Sequence, residues 1–333
     1  MEGGVTIRRF AIEDLSDALV LAVREGLLAW WEANRRDLPW RKTRDPYRIL
    51  VSEVMLQQTQ VDRVIPYYER WLETFADVRA LADAPTADVI RLWAGLGYNR
   101  RAVNLQRTAQ AVVERGGDFP SITAELQTLP GIGPYTAGAI ACFAFERDVA
   151  FIDTNMRRVL HRLFHGVDVP VSTATDREIT ALAARMVLPG DGWNWNQALI
   201  EFGALLCTAR KPLCVVCPLQ TACAAFPAIQ TAIAELPKGS PKKREAPFKE
   251  SNRYFRGRVV NALRSRPREG IALAELGPEI RPGFAEGDVA WLFEVVRGLE
   301  RDGLATIAED EPGYDAGAGD EPVDLGSVKV RLP

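Results

Sequence analysis

The stretch Leu129-Pro130-Gly131-Ile132-Gly133-Pro134-Tyr135 decides the fold prediction, because it reads as a tight turn that opens a helix. Two glycines one residue apart let the backbone turn with no Cβ in the way. Pro134 suits the first position of the following helix. The N–H groups of such a turn point outward beside a helix N-terminus, where an anion can bind. The stretch predicts a phosphate-binding hairpin, although an ordinary turn between two helices also fits it.

Helical patterns flank this hairpin on both sides. An amphipathic helix is predicted at residues 16–34, with Ser16 as its N-cap. Further helices are predicted at residues 47–60, 61–75, 86–94, 100–115, 120–129, 134–146, 154–165, 173–188 and 193–206. Because strand signals are nearly absent before residue 250, we predict an all-α fold for this part, followed by a basic linker at residues 234–252.

A small C-terminal module is predicted at residues 253–310. Residues 254–265 and the segment around Val289–Val296 have the spacing of helices with one apolar face, and residues 304–307 resemble a strand. Two helices followed by a hairpin predict a winged-helix-like α+β module. Residues 311–333 are rich in acidic residues and are predicted to be a tail outside the module.

Composition excludes several classes of protein. Hydrophobic residues make up 47% and charged residues 26% of the 333 residues, as in an ordinary soluble protein of two or three domains. No apolar run reaches about 18 residues and no leader is evident, so we predict a cytoplasmic protein without a membrane span. The net charge of −3 does not itself indicate nucleic-acid binding, but the segment Arg35–Arg48 is basic.

Cysteine spacing indicates a metal site. Cys142 lies alone in an apolar helix and is predicted to be a core residue. The other four cysteines follow the pattern C-x6-C-x2-C-x5-C: Cys207, Cys214, Cys217 and Cys223. Zinc sites more often pair two short knuckles across a longer gap. A single compact loop can instead wrap an iron–sulfur cluster. Zinc and four unrelated buried cysteines stay open as alternatives.

Two carboxylates are candidates for acid–base chemistry. Asp153 directly precedes a predicted helix, where an aspartate is most often an N-cap. Glu53 lies among apolar residues of a predicted helix, and burial there favours the neutral acid that a proton donor requires. An exposed helix face is the alternative for Glu53. The only histidines, His161 and His165, are predicted to lie on a helix surface, which disfavours a histidine-based mechanism.

The hairpin, the cysteine spacing and the segment Val51–Val61 together resemble the helix-hairpin-helix DNA glycosylases, in particular the MutY-type adenine glycosylases and endonuclease III. This resemblance covers residues 20–226. It implies an iron–sulfur domain at residues 18–46 and 151–233 and a six-helix domain at residues 47–150. It also implies a structural [4Fe–4S] cluster on the four clustered cysteines. The implied partner is double-stranded DNA with a mismatch, bound by a monomer.

The resemblance implies a role for each matching residue. Glu53 would protonate N7 of adenine mispaired with 8-oxoguanine or guanine, Asp153 would stabilise the sugar cation, and Asn155 would orient Asp153. Tyr135 stands where strand-cutting relatives have a nucleophilic lysine, so removal of the base alone is expected. The implied DNA contacts are Arg36, Trp40 and Arg41 beside the base pocket, Gln57, Gln58 and Thr59 inside the duplex, Leu96 and Tyr98 as the wedge, and Gly131 and Gly133 on a phosphate.

Two other functions stay open at this point. One is a mismatch-specific thymine or uracil glycosylase of the same superfamily, and the other is a non-catalytic iron–sulfur protein that binds DNA. The chain departs from the MutY pattern in its short C-terminal module, in Asn99 after Tyr98 and in Thr154 after Asp153. These departures concern recognition of the damaged base more than catalysis.

Overall fold

A computed structural model describes residues 15–237, 248–266, 268–308 and 324–333, and α-helices dominate these residues. Helices α1 to α6 are Asp17–Asn34, Pro46–Leu56, Val61–Thr74, Val78–Ala82, Thr86–Leu92 and Arg100–Glu114. Helices α7 to α12 are Thr123–Leu126, Pro134–Phe145, Thr154–Phe164, Asp176–Met186, Gly192–Leu205 and Ala228–Ala234. The all-α prediction for this part of the chain is confirmed, and most predicted helices end within a few residues of the observed ends.

Local sequence fixes where several helices begin. The Ser16 hydroxyl accepts a hydrogen bond from the backbone N–H of Leu19 at the start of α1. Thr175 and Glu178 form a reciprocal capping box at the start of α10. These caps satisfy N–H groups that have no partner inside their helix. The predicted start of that helix at residue 173 was therefore three residues too early.

The chain forms two compact units. The first comprises the described residues from 15 to 50, Phe119–Thr128 and the described residues from 132 to 237. Within it α11 packs against both α1 and α9, and Trp30 meets Phe202 edge to face at 5.0 Å between ring centroids. Helix α8 lies in this unit, whereas the resemblance implies a six-helix domain at residues 47–150 that contains it.

The second unit comprises Val51–Asp118, Leu129–Gly131 and the described residues from 248 onward. Helix α6 packs against α4 and α5. Trp71 and Trp93 meet edge to face at 5.4 Å, and both side chains are almost completely buried. Burying such aromatic side chains supplies much of the stabilisation of a core of this size.

The C-terminal module lies within the second unit. Its elements are α13 (Asn252–Arg264), β1 (Ile271–Ala272), α14 (Leu273–Ile280), α15 (Val289–Arg301), β2 (Thr306–Ala308) and β3 (Lys329–Arg331). The three strands form an antiparallel sheet in the order β1-β3-β2, with Val330 opposite both Ile271 and Ile307. The helix–strand–helix–helix–strand–strand order confirms the winged-helix-like prediction. The sequence pattern missed β1 and α14.

The predicted acidic tail at residues 311–333 was wrong for its last residues. Lys329–Arg331 forms the central strand, and the Val330 side chain is fully buried. A three-residue strand with one apolar residue is too weak a signal to recognise beside an acidic run. Residues 309–323 and most of the predicted basic linker, residues 238–247, lie outside the described residues.

The module shares one hydrophobic core with α5 and α6. Ala87, Ile90 and Val103 from these helices belong to the same buried cluster as the apolar residues of the module. The backbone N–H of Ala87 also donates to the carbonyl of Pro333 at 3.0 Å. The module is therefore an extension of the second unit rather than a separate folding body.

Candidate active site

Asp153 caps α9 and is held there by two hydrogen bonds. Its Oδ1 accepts from the backbone N–H of Met156 at 2.7 Å, and its Oδ2 accepts from Asn155 Nδ2 at 2.9 Å. Burial raises the pKa of Asp153 above its ordinary value, against the opposing effect of these hydrogen bonds and of the Arg158 charge. The N-cap prediction and the predicted pairing with Asn155 therefore coincide in one half-buried carboxyl group.

Arg158 connects this carboxyl group to the cysteine loop. Its guanidinium donates to Asn155 Oδ1 at 2.8 Å and to the carbonyl of Cys207 at 2.8 Å. A third bond reaches the carbonyl of Gly203 at 2.7 Å. A Cβ on Gly203 would lie 2.8 Å from the Asn155 Cβ, so glycine permits the close approach of α9 and α11. Sequence reasoning missed Arg158, although its position three residues after Asn155 places both on one helix face.

Tyr135 is the second residue of α8 and is half-buried. Its ring meets Phe151 edge to face at 5.5 Å. Phe151 in turn packs over Gly138, where an added Cβ would lie 2.4 Å from the Phe151 Cβ. The first unit therefore holds the phenol on the helix that follows the hairpin.

The hairpin has the predicted backbone. Gly131 has φ +77°, and a Cβ there would lie 2.9 Å from the Cβ of Asn104. The carbonyl of Pro130 accepts from the Thr108 hydroxyl at 2.6 Å, which fixes the turn on α6. Gly133 is exposed and is the N-cap of α8, and its φ of −88° is one that any residue can adopt. The exposed end of α8 offers backbone N–H groups suited to a phosphate.

Glu53 lies in α2 and is 6% exposed. Its helical neighbours Ser52, Val54 and Met55 are also buried. The expectation that Glu53 is a buried carboxyl group is thus met within the second unit, whereas its role as a proton donor stays a prediction.

Two loops of the second unit are joined by Arg101. Its guanidinium donates to the carbonyls of Val54, Met55 and Gln57 at the end of α2 and to those of Leu96 and Gly97 in the other loop. Burial lowers the pKa of Arg101 to about 10, so it stays charged at neutral pH. No sequence motif marks Arg101, because its acceptors are backbone carbonyls.

The same two loops carry the predicted duplex-inserting side chains. Gln58 and Tyr98 have φ values of +58° and +47°, a region that costs a non-glycine residue of order 1–3 kcal/mol and that concentrates at functional sites. Tyr98 is 47% exposed, whereas Leu96 is buried at 6%. Gln57 and Thr59 bracket Gln58. Tyr98 is consequently the exposed side chain of the predicted wedge.

The predicted base-pocket loop is held by ion pairs to one buried glutamate. Glu201 is fully buried and pairs with Arg36 and Arg41. Burial acts to raise the pKa of Glu201, but the hydrogen bonds from both arginines outweigh it and the pKa is lowered. The Arg41 side chain is only 9% exposed, and Trp40 is buried too. These contacts fix the loop, while the predicted DNA contacts of Arg36, Trp40 and Arg41 stay predictions.

The four clustered cysteines are free thiols in one loop of the first unit. Burial raises the pKa of Cys217 to about 12, and the charges of the neighbouring cysteines act in the same direction. Arg162 donates to Cys207 Sγ at 3.8 Å and to the carbonyls of Thr208 and Ala209. Such thiols ionise near neutral pH only when a cation binds them, so this donor set fits an iron–sulfur group whose anionic charge the arginine offsets.

No three His, Cys, Asp or Glu side chains converge on a single metal-ion position within the described part of the chain. In the same part, no helix is both long enough and apolar enough to cross a membrane.

The predicted surface position of the histidines was wrong. His161 and His165 are 1% and 9% exposed. His161 Nδ1 contacts the carbonyl of Gly166 at 3.1 Å, and its Nε2 accepts from the backbone N–H of Thr173 at 3.1 Å. Burial lowers the pKa of His161, which favours a neutral structural imidazole.

Known proteins of one family match this chain. The family model described as HhH-GPD superfamily base excision DNA repair protein matches residues 51–184 of this chain. The adenine DNA glycosylase of Mycolicibacterium smegmatis is 41% identical over 241 residues, which cover 72% of this chain and 79% of that protein. The adenine DNA glycosylase of Mus musculus is 43% identical over 239 residues, and the match spans 46% of that protein's length.

Solved structures share the fold. A thermostable thymine-DNA glycosylase superposes with a TM-score of 0.59 at 29% identity, covering 65% of this chain and 98% of the other. An endonuclease III–DNA complex superposes with a TM-score of 0.54 at 23% identity and covers 63% of this chain and 95% of the other. The match to the Mycolicibacterium enzyme extends over most of both chains, and the chain therefore belongs to the adenine DNA glycosylase family, within the HhH-GPD superfamily of base excision DNA repair proteins.

Proposed function

We propose that this protein removes adenine mispaired with 8-oxoguanine or guanine from double-stranded DNA by hydrolysing its N-glycosidic bond. The observation that carries the proposal is the half-buried carboxyl group of Asp153, which accepts hydrogen bonds from the Met156 N–H and from Asn155 Nδ2, in a chain that also buries Glu53. The identity of 41% to an adenine DNA glycosylase over 241 residues selects adenine as the substrate.

The two carboxyl groups have opposite tasks in this proposal. Glu53 acts as the neutral acid and gives its proton to N7 of adenine, because the departing base must become a better leaving group. Asp153 acts in its ionised form and stabilises the positive charge that develops on the sugar. Water then attacks the sugar carbon, and an abasic site remains. Asn155 holds the Asp153 carboxylate in place through its Nδ2 donor.

Tyr135 makes the reaction a hydrolysis without strand cleavage. A phenol cannot form a Schiff base with the sugar, and the strand-cutting mechanism needs an amine at this position. Tyr135 also packs against Phe151, so its ring has a structural role. The expected product is an intact strand that contains an abasic site.

DNA contacts in this proposal come from several loops. The backbone of Gly131 and Gly133 receives a phosphate at the start of α8. Tyr98 fills the gap left by the extruded base, since flipping a base costs a few kcal/mol that an inserted ring offsets. Gln57, Gln58 and Thr59 enter the duplex beside the base opposite adenine. Trp40, Arg36 and Arg41 shape the base pocket.

We further propose that Cys207, Cys214, Cys217 and Cys223 hold a [4Fe–4S] cluster. The bound cluster supplies a rigid cross-link of the loop rather than redox chemistry on the base. Arg158 bonds to the Cys207 carbonyl, so the loop and the Asp153 carboxyl group are connected through Asn155. A broad visible absorption band that disappears in Cys217→Ser tests the cluster. A colourless protein that contains zinc would refute it.

Thymine removal from T:G mismatches is the second candidate, because the structural relative with a TM-score of 0.59 is a thymine-DNA glycosylase. The substrate test uses duplexes with A:8-oxoguanine, A:G and T:G pairs, and a fully paired duplex as the control. The proposal predicts release of adenine from the first two. Release of thymine without adenine would replace it by the second candidate, and binding without any release would indicate a non-catalytic DNA-binding protein.

A further inference from the structure

A basic groove lies inside the second unit, between helix α13 of the C-terminal module and the loop that ends in Tyr98. Its volume is 820 Å³. Its walls contain one carboxylate, Asp302, and six arginines, which define it here as the arginine groove: Arg100, Arg101, Arg253, Arg256, Arg258 and Arg264. So large an excess of one charge sign in a concave surface concentrates anions.

Most of these arginines are already bound to other groups of the protein. Arg101 donates hydrogen bonds to backbone carbonyls of the two loops. Arg256 and Arg100 share Asp302. Arg264 donates to the carbonyl of Ile90 and to Asn99 Oδ1, which ties α13 to the Tyr98 loop. These bonds build the walls and fix the distance between the module and the loop.

Arg253 is different, because it faces the groove beside the exposed wedge residue. Its guanidinium carbon lies 4.4 Å from the centroid of the Tyr98 ring. Both side chains are exposed, Tyr98 to 47%. Within the described residues, no carboxylate forms an ion pair with Arg253. Its charge is thus available to an anion at the mouth of the groove, directly beside the ring predicted to enter DNA.

Charge along the module's helices shows which face can meet an anion. Helix α13 contains four arginines and no acidic residue over Asn252–Arg264. Helix α15 has no net charge, because it contains two glutamates and two arginines. Of these, Glu294 and Arg297 form an ion pair. A winged helix usually presents its third helix to DNA. Here the first helix of the module carries the positive charge instead.

We propose that the arginine groove binds the phosphodiester backbone of the DNA beside the base step that Tyr98 enters, and that Arg253 is its phosphate ligand. The module thereby adds a phosphate contact next to the wedge, through α13 rather than α15. An acidic protein segment is the other polyanion that could fill the groove. Duplex DNA is favoured because Arg253 lies against the ring of Tyr98. The Tyr98 loop is itself joined through Arg101 to the loop of Gln57, which is also predicted to enter DNA.

The inference rests on the proposed DNA substrate, but its test does not depend on base excision. Full-length Arg253→Gln, Arg253→Lys and the control Arg297→Gln are compared in binding to an undamaged duplex at salt concentrations from 50 to 300 mM. Arg297 lies on the same module, outside the groove, and is 52% exposed. Each phosphate that the protein neutralises contributes about 0.9 to the slope of log Kd against log salt concentration.

Arg253→Gln is expected to weaken binding about five- to tenfold at 0.1 M salt and to reduce that slope by about one, as expected for a lost phosphate contact. Arg253→Lys should keep most of the slope, and Arg297→Gln should change neither quantity. Loss of a purely structural contact between Arg253 and Tyr98 would weaken binding in both Arg253 variants without changing the slope.

Equal effects of Arg253→Gln and Arg297→Gln, or an unchanged slope, would overturn the proposal. So would loss of affinity for a polyglutamate peptide with unchanged affinity for DNA. If the wild type binds duplex with this salt dependence but releases no adenine, the proposed activity fails while the groove assignment stands.

Discussion

Asp153→Asn separates the charge of this residue from its role at the start of α9. Asparagine caps helices about as well as aspartate, so its side-chain oxygen can keep the bond to the Met156 N–H, which is 2.7 Å long in the wild type. The charge is lost. The new amide would face Asn155 Nδ2, whose orientation is fixed because Asn155 Oδ1 accepts from Arg158. The substitution therefore exchanges a charge-assisted hydrogen bond for two facing donors.

The expected loss of rate follows from the missing charge. Removing one electrostatic stabiliser of a transition state costs about 2.7–4 kcal/mol, or 10²–10³ in rate. We expect Asp153→Asn to reduce single-turnover adenine release by at least this factor. The effect of Asp153→Asn on the free energy of unfolding is smaller than its effect on the barrier, because removal of a half-buried charge opposes the cost of an unsatisfied donor, which is about 1–3 kcal/mol.

The pH dependence has a defined sign. Burial raises the pKa of Asp153 in the folded protein above its ordinary value of 3.8. The wild type therefore loses stability as pH rises from the ordinary value through the raised one, since the unfolded chain releases the proton more readily. Adenine release should decline as pH falls through the raised pKa, because the reaction needs the ionised form. Asp153→Asn should show no such change in stability.

The assay compares Asp153→Asn with Asp153→Ala. Alanine also removes the cap, which costs about 0.5–2 kcal/mol of unfolding free energy. Both variants should lose at least about 10²-fold in rate, although urea unfolding should find the alanine variant less stable. An Asp153→Asn rate within about tenfold of the wild type, or rates that follow stability across the two variants, would show that the charge of Asp153 is not what accelerates the reaction.

Three further results are expected. Arg158→Gln should move the acid limb of the pH–rate profile to higher pH, because the Arg158 charge lowers the pKa of Asp153; an unmoved limb would contradict this. Tyr135→Lys should introduce strand cleavage that borohydride traps as a covalent adduct, and an intact strand would mean that an amine there cannot reach the sugar. Val330→Ala should cost about 2 kcal/mol in urea unfolding, since the side chain is fully buried, and a loss below about 0.5 kcal/mol would contradict the central position of β3.

The sequence predicted those parts of the fold that depend on local signals. Helix periodicity, the glycines of the hairpin and the caps at Ser16 and Asp153 act over one or two turns, so they can be read without tertiary information. The strand Lys329–Arg331 could not be predicted in this way, because its pairing with β1 and β2 joins residues far apart in the chain. Two- and three-residue strands carry almost no periodic signal.

The candidate site divides in the same manner. Asp153, Asn155 and the cysteine loop were predictable from motif spacing. Arg101 and Arg158 were not, because each acts by donating to carbonyls whose positions only the fold determines. The two histidines of the strongly amphipathic segment 154–165 were predicted to lie on the helix surface, but the fold buries both His161 and His165.

The decisive experiment follows adenine release from an A:8-oxoguanine duplex with and without alkali. We expect free adenine from the wild type, a nick at the abasic site only after alkali treatment, and a loss of at least about 10²-fold in the rate of release for Glu53→Gln and for Asp153→Asn. Full activity in either variant would mean that its carboxyl group takes no part in the reaction, and a nick by the wild type before alkali treatment would mean that the protein also cuts the strand.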